Sequence, residues 1–137
     1  MKVLNSHRGA VAAAVIVIAL SVLFGLDHQL YVTLLPKSVT TAIGMELSRE
    51  LGGVVAITTA VIIVTGILGN VIGDFIFSIF RIKHPIAKGL ALGNSAHAIG
   101  TAKAMELGEV EGAMSSLAIA VAGVLTVVSA SVFAQFL

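Results

Sequence analysis

The segment GNSAHAIGTAKAMELGEVEGA, Gly93 to Ala113, decides how this chain is read. It holds a histidine, a lysine, three glutamates and four of the fourteen glycines. Apolar runs long enough to cross a bilayer stand on both sides of it. The chain has 137 residues, 58% hydrophobic and 11% charged, with a mean hydropathy of +1.08. A soluble domain carries about 25% charged residues, and so few charges cannot cover the apolar surface of a water-exposed protein this size. The composition therefore predicts an all-α integral membrane protein, a single membrane domain over residues 1–137 with the lipid bilayer as its solvent. Dense polar chemistry in such a chain needs a sheltered place.

Three clear transmembrane helices are expected. Gly112–Leu137 has no charge, and Ala118, Ala122, Thr126, Ala130 and Ala134 recur every four residues as a close-packing ridge. Gly53–Phe80 has Asp74 as its only charge, with Gly66, Gly69 and Gly73 on one helical face. Gly69 and Gly73 have the small-xxx-small spacing that lets helix backbones approach in lipid. The plain reading of these faces is helix packing. Gly9–Leu26 is eighteen uncharged residues, about 27 Å as a helix. Lys2 and Arg8 precede it as in a signal peptide, but Asp27-His28-Gln29 follows Leu26 in place of a small-residue cleavage pattern, so a retained span is expected.

Two segments are interrupted. Gln29–Leu51 carries Pro36 and Lys37 near its middle, and Gly89–Leu107 carries Gly89, Gly93 and Gly100. An interior glycine costs a helix about 1 kcal/mol relative to alanine and an interior proline about 3. Broken backbone in lipid needs partners in protein or a wet cavity, so both segments are expected to be broken or re-entrant and turned away from lipid. They also look alike. Ser38–Gly44 (SVTTAIG) parallels Asn94–Gly100 (NSAHAIG), and MEL recurs at Met45–Leu47 and Met105–Leu107. The AIG triplets lie 56 residues apart and the MEL triplets 60. This is a candidate internal repeat, a common device in transporters, set against chance similarity of two stretches rich in small residues.

Orientation is read from lysine and arginine. Lys2 and Arg8 precede the first span, and Arg81, Lys83 and Lys88 crowd residues 81–88, so both are expected to be cytoplasmic. The acidic turn at Glu106, Glu109 and Glu111 then lies outside and the C-terminus inside. Gln29–Leu51 must then enter and leave on one face. A single crossing there would instead put Lys2 and Arg8 outside.

Several functions are excluded or unsupported. A net charge of +1 offers no field for nucleic acid, and the absence of cysteine removes disulfides and thiolate chemistry. The four histidines show no metal-ligand pairing, no nucleophile elbow surrounds Ser38 or Ser95, and no phosphate loop is present. No enzyme activity, cofactor or metal is expected.

The candidate site is a pair of helix starts inside the membrane, where free N–H groups and the positive dipole end suit anions. Ser38, just after Pro36, and Asn94 or Ser95 are expected caps. Thr40 and Thr41 lie beside Ser38, and Lys37 and Lys103 would add positive charge. Asn94, His97 and Thr101 share one face, next to a small stripe of Gly93, Ala96 and Gly100. His97 is the proton-carrying candidate. The plainer alternatives are a helix-bridging core histidine and lysines that snorkel to an interface.

Residues Pro36–Gly53 (PKSVTTAIGMELSRELGG), Arg81–Gly123 and Thr65–Gly69 (TGILG) resemble the LrgB/CidB family. The similarity is dense from about Leu34 to Gly123, and long motifs such as PKSVTT at Pro36–Thr41 and HAIGTAKA at His97–Ala104 make it specific. The family includes bacterial antiholin-like proteins described as modulators of murein hydrolase export and autolysis, and an LrgB-like half occurs in the plastid glycolate/glycerate translocator. The resemblance implies a plasma-membrane protein that transports small organic monocarboxylates such as glycolate, glycerate or pyruvate. The alternative it implies is a holin-like or antiholin-like oligomeric regulator. It further implies a homo-oligomer or additional membrane helices, including an LrgA/CidA-like partner. Family members usually carry membrane helices before the segment matching Gly9–Leu26, so this chain looks like the C-terminal part of one.

Overall fold

The computed structural model describes residues 2–136, with side chains described at 11, 12 and from 15 to 136. The expected topological roles of Lys2 and Arg8 lie outside the described side chains. Every regular element among the described residues is helical: α1 (Lys2–Phe24), α2 (His28–Leu34), a 3-10 turn (Leu35–Ser38), α3 (Thr41–Glu50), α4 (Val55–Ile79), α5 (Pro85–Leu107), α6 (Glu109–Phe133) and a last 3-10 turn (Ala134–Phe136). Two helices are long and apolar enough to cross a membrane, Val55–Ile79 and Glu109–Phe136. In the region of the expected first span, the described apolar helix is the shorter Val15–Phe24.

Local chemistry explains the boundaries. Gly25 (φ 60) ends α1 and Gly52 (φ 79) ends α3, left-handed positions that glycine tolerates without strain. The Asp27 carboxylate caps α2 by accepting from the Leu30 amide at 2.8 Å. Pro85 stands in the first turn of α5, where its missing N–H is not needed. The basic loop is therefore shorter than expected, and Lys88 belongs to α5.

The packing register shows where the chain reverses. Along α5, a Cβ on Gly89 would meet Glu111 O and Met114 of α6, and one on Gly93 would meet Ser115 O and Ala118. These residues run parallel to α6. Further on, Thr101 bonds Ser115 at 2.8 Å and Gly112 packs on Met105, an antiparallel register. The change falls at His97, whose backbone is non-helical (φ 50, ψ −129). A Cβ on Gly100 would lie 2.5 Å from Leu92 O, eight residues back, whereas a straight helix separates such residues by about 12 Å. α5 is thus two limbs, 85–96 and 98–107, folded into a hairpin.

Residues 28–50 form a second hairpin. Its ends meet where Gln29 Nε2 donates to Gly52 O at 3.5 Å, and its turn holds Pro36 at φ −85, ψ 18. A buried hydroxyl junction fixes its base to α4: Thr58 Oγ1 contacts Thr33 O and Ser48 Oγ at 2.8 Å each, while Thr33 Oγ1 accepts from the Val54 amide. Tyr31, fully buried, donates its hydroxyl to Phe133 O and ties α2 to the end of α6.

α4 runs past both hairpins in order. Ser48 meets Thr58 and Gly44 meets Ile62; then Gly66 and Gly69 meet Ala96, Gly73 meets Leu92, and Lys88 lies over Phe77. The hairpins therefore enter from opposite ends and their tips meet beside the middle of α4. They repeat one packing device. Gly44 faces Pro36 O as Gly100 faces Leu92 O, and Ile43 meets Gly123 of α6 as Ile99 meets Gly66 of α4.

Three expectations need correction. Because α5 doubles back, the acidic turn at Glu106–Glu111 lies at the same end as the basic loop, not opposite it. By the same reversal, the C-terminal turn, packed near Tyr31 and Val17, lies at the end opposite Arg81 and Lys83. The loop and the C-terminus therefore do not share a side. Gly66, Gly69, Gly73, Gly93 and Ala118 line contacts between helices and Ala122 and Ala130 are buried, but Gly100 packs within its own hairpin.

Candidate functional site

Each hairpin tip is built from backbone that cannot continue a helix. At the first, Pro36 leaves the helical region and Val39 and Thr40 are extended, so α3 starts afresh at Thr41. At the second, the reversal is confined to His97. The two tips bring together residues 56 to 58 apart in sequence: Lys37 and Ser38 from one, Asn94 and Ser95 from the other. These four line an open cavity of about 610 Å³, walled by Thr65, Leu68, Gly69 and Gly73 of α4 and by Ala12 and Ile16 of α1. Thr40 and Thr41 meet His97 across a smaller cavity of about 30 Å³ between the tips.

The polar groups differ in how they are engaged. Lys37 Nζ donates to Ser38 Oγ at 3.1 Å. Among the described residues, no carboxylate lies within ion-pair distance of it; the pairs found join Arg49 to Glu46 and Lys103 to Asp74 and Glu106. Asn94 Nδ2 donates to Leu90 O and Ser95 Oγ to Ala91 O. Both are thus bonded within the incoming limb and do not cap a helix, because the break comes at His97. Ser38 is likewise not a cap; Thr40 holds that place for α3, without a side-chain bond. Two buried polar atoms at the second tip, Asn94 Oδ1 and His97 Nε2, have no hydrogen-bond partner.

Two expected site residues stand apart. Thr101 donates to His97 O at 2.9 Å and pairs with Ser115, so its hydroxyl serves the hairpin–α6 contact. Lys103 reaches Asp74 Oδ2 at 2.8 Å, near the base of the hairpin. Sequence reading missed Thr33, Ser48 and Thr58, whose hydroxyls hold the first hairpin in register; alternation of polar and apolar residues in short helices carries little signal for such a junction. No cluster that could hold a metal occurs among the described residues. One ammonium (Lys37), the hydroxyls of Ser38, Thr65 and Ser95 and the carboxamide of Asn94 line a recess otherwise walled by apolar residues, Phe77 among them.

The LrgB-like family model matches residues 3–136. This chain belongs to that family. Its relatives include the antiholin-like protein LrgB of Bacillus mycoides (strain KBAB4), 42% identical over 129 residues, 94% of this chain and 56% of the relative. The proteins of the same name from Bacillus cereus (strain B4264) and Bacillus anthracis (strain CDC 684 / NRRL 3495) are 41% identical over the same shares. The chain thus spans about half the length of the curated LrgB relatives it matches. No solved structure matches it.

Proposed function

We propose that this chain is part of a plasma-membrane protein that passes small organic monocarboxylates, such as glycolate, glycerate or pyruvate, through a site between its hairpin tips. The observation that carries the reading is the convergence of Lys37, Ser38, Asn94 and Ser95 on one cavity beside the middle of α4. In this reading α1, α4 and α6 span the bilayer and the two hairpins are re-entrant. The tips then lie near the midplane, where interrupted helices commonly bind substrate and coupling ion. Lys37 takes the carboxylate, Asn94 and Ser95 hold its polar remainder, and His97, on the smaller cavity between the tips, is the proton-carrying candidate. No bond of the solute is made or broken. Arg81, Lys83 and Lys88 mark the cytoplasmic end, and further helices cover the open side of the cavity. Proteoliposomes carrying the protein are expected to accumulate labelled monocarboxylate, and Lys37→Ala to abolish accumulation. Uptake at the wild-type rate in the variant sinks this site.

A second reading is carried by the relatives' name. An antiholin-like oligomer that regulates murein hydrolase export would use the small-residue faces for assembly, alone or with an LrgA/CidA-like partner. It predicts altered lysis or dye leakage that needs no solute and survives His97→Ala.

A further inference from the structure

The turn after α4 repeats the ends of α1 and α3 with one difference. All three close with the same backbone bond, from Leu26 N to Ser21 O, Gly53 N to Ser48 O, and Ile82 N to Phe77 O. The left-handed position inside that loop is Gly25 in the first and Gly52 in the second, but Arg81 (φ 52) in the third. That conformation disfavours any residue with a Cβ, so an arginine there points to a use for its side chain. Arg81 lines a recess of about 300 Å³ with Lys83, Lys88, Asp74, Phe77, Ser78 and Ile82. The one carboxylate in its wall, Asp74, is already held by Lys103 at 2.8 Å. Glu109 and Glu111 belong to the same end, yet no ion pair joins either to Arg81, Lys83 or Lys88 among the described residues. At the same end of α4, next in sequence to the lining residues, Phe75, Ile79 and Phe80 are 67%, 57% and 70% exposed.

We propose that this recess binds an anionic phospholipid, its phosphodiester held by Arg81, Lys83 and Lys88 and its acyl chains lying along Phe75, Ile79 and Phe80. Cations that only set topology need to lie near a membrane end; they need not share a concavity above an aromatic, lipid-facing wall. The depth also fits. The recess begins at Asp74, five residues before the end of α4, or about 7 Å below it, which is headgroup level. Basic pockets of this kind at the cytoplasmic end of membrane helices suit lipid phosphates. The inference needs α4 to lie in a bilayer and does not depend on the transport reading.

The test uses the detergent-solubilised chain titrated with phosphatidylglycerol or with phosphatidylcholine of the same acyl chains, read by native mass spectrometry. Sodium phosphate is the competitor for a soluble ligand. Phosphatidylglycerol is expected to bind at least about tenfold more tightly, and Lys83→Ala and Lys88→Ala to weaken it about fivefold each. Arg81→Gly is the decisive variant, because it suits the backbone while removing the charge. It should fold at least as stably as the parent and bind phosphatidylglycerol about fivefold more weakly. Equal binding of the two lipids, or undiminished binding by Arg81→Gly, overturns the proposal. So does displacement by phosphate at concentrations equal to the lipid, which would make the occupant a soluble phosphate compound.

Discussion

Replacing His97 by glycine and by alanine gives a test whose sign depends on the hairpin. In an unbroken helix, glycine is about 1 kcal/mol less stable than alanine, so His97→Ala would be the more stable variant. The backbone at His97 lies instead at φ 50, ψ −129, a region that glycine reaches freely and a residue with a Cβ does not. Such strain amounts to about 1–3 kcal/mol, and glycine gives back roughly 0.5–1 kcal/mol through the greater freedom of its unfolded chain. The balance favours His97→Gly by about 0–2.5 kcal/mol, although both variants lose the same imidazole. Thermal unfolding of the two purified variants in one detergent is the assay, with Tm expected to be higher for glycine. Alanine above glycine would mean that the chain does not reverse at this residue.

Other outcomes follow from the same contacts. Lys37→Ala should abolish monocarboxylate uptake in proteoliposomes, while Lys103→Ala should retain it, because Lys103 pairs with Asp74 away from the cavity. Gly93→Ala places a methyl 2.5 Å from Ser115 O and 2.8 Å from Ala118 Cβ, and should cost about 1–3 kcal/mol in stability, measured by denaturant unfolding. Thr58→Val leaves Ser48 and Thr33 O without their shared partner and should cost about 1–3 kcal/mol by the same measurement. The chain has no native cysteine, so single cysteines can map its ends in intact cells. Lys83→Cys and Glu109→Cys should react with an impermeant maleimide from the same side, and Gln135→Cys from the opposite side.

The helical, strongly apolar character was legible because composition and hydropathy are properties of runs of residues. Val55–Ile79 and Glu109–Phe136 follow from that alone. The similarity of SVTTAIG and NSAHAIG was also legible, and the matching contacts of Gly44 and Gly100 give it a physical meaning: each glycine lets a returning limb lie on a carbonyl of the incoming one. Which residue turns the second hairpin was not legible. Asn94 and Ser95 are better caps than histidine by propensity, yet their side chains bond back within the limb and the reversal falls on His97. Because the reversal at His97 was not legible, the acidic turn and the C-terminus were each expected at the other end of the helices from where they are found.

Sequence alone determined that this chain is helical and carries runs apolar enough to cross a membrane. It did so because hydropathy and backbone propensity are local quantities. Only the tertiary structure decided that both interrupted segments double back from opposite ends, that Lys37 and Asn94 line one cavity while Lys103 is drawn off to Asp74, and that His97 bears the turn. Those outcomes depend on which small residue lets which backbone approach, as when Gly66 and Gly69 admit the second tip against α4. A contact between residues far apart along the chain leaves no periodic mark on either of them.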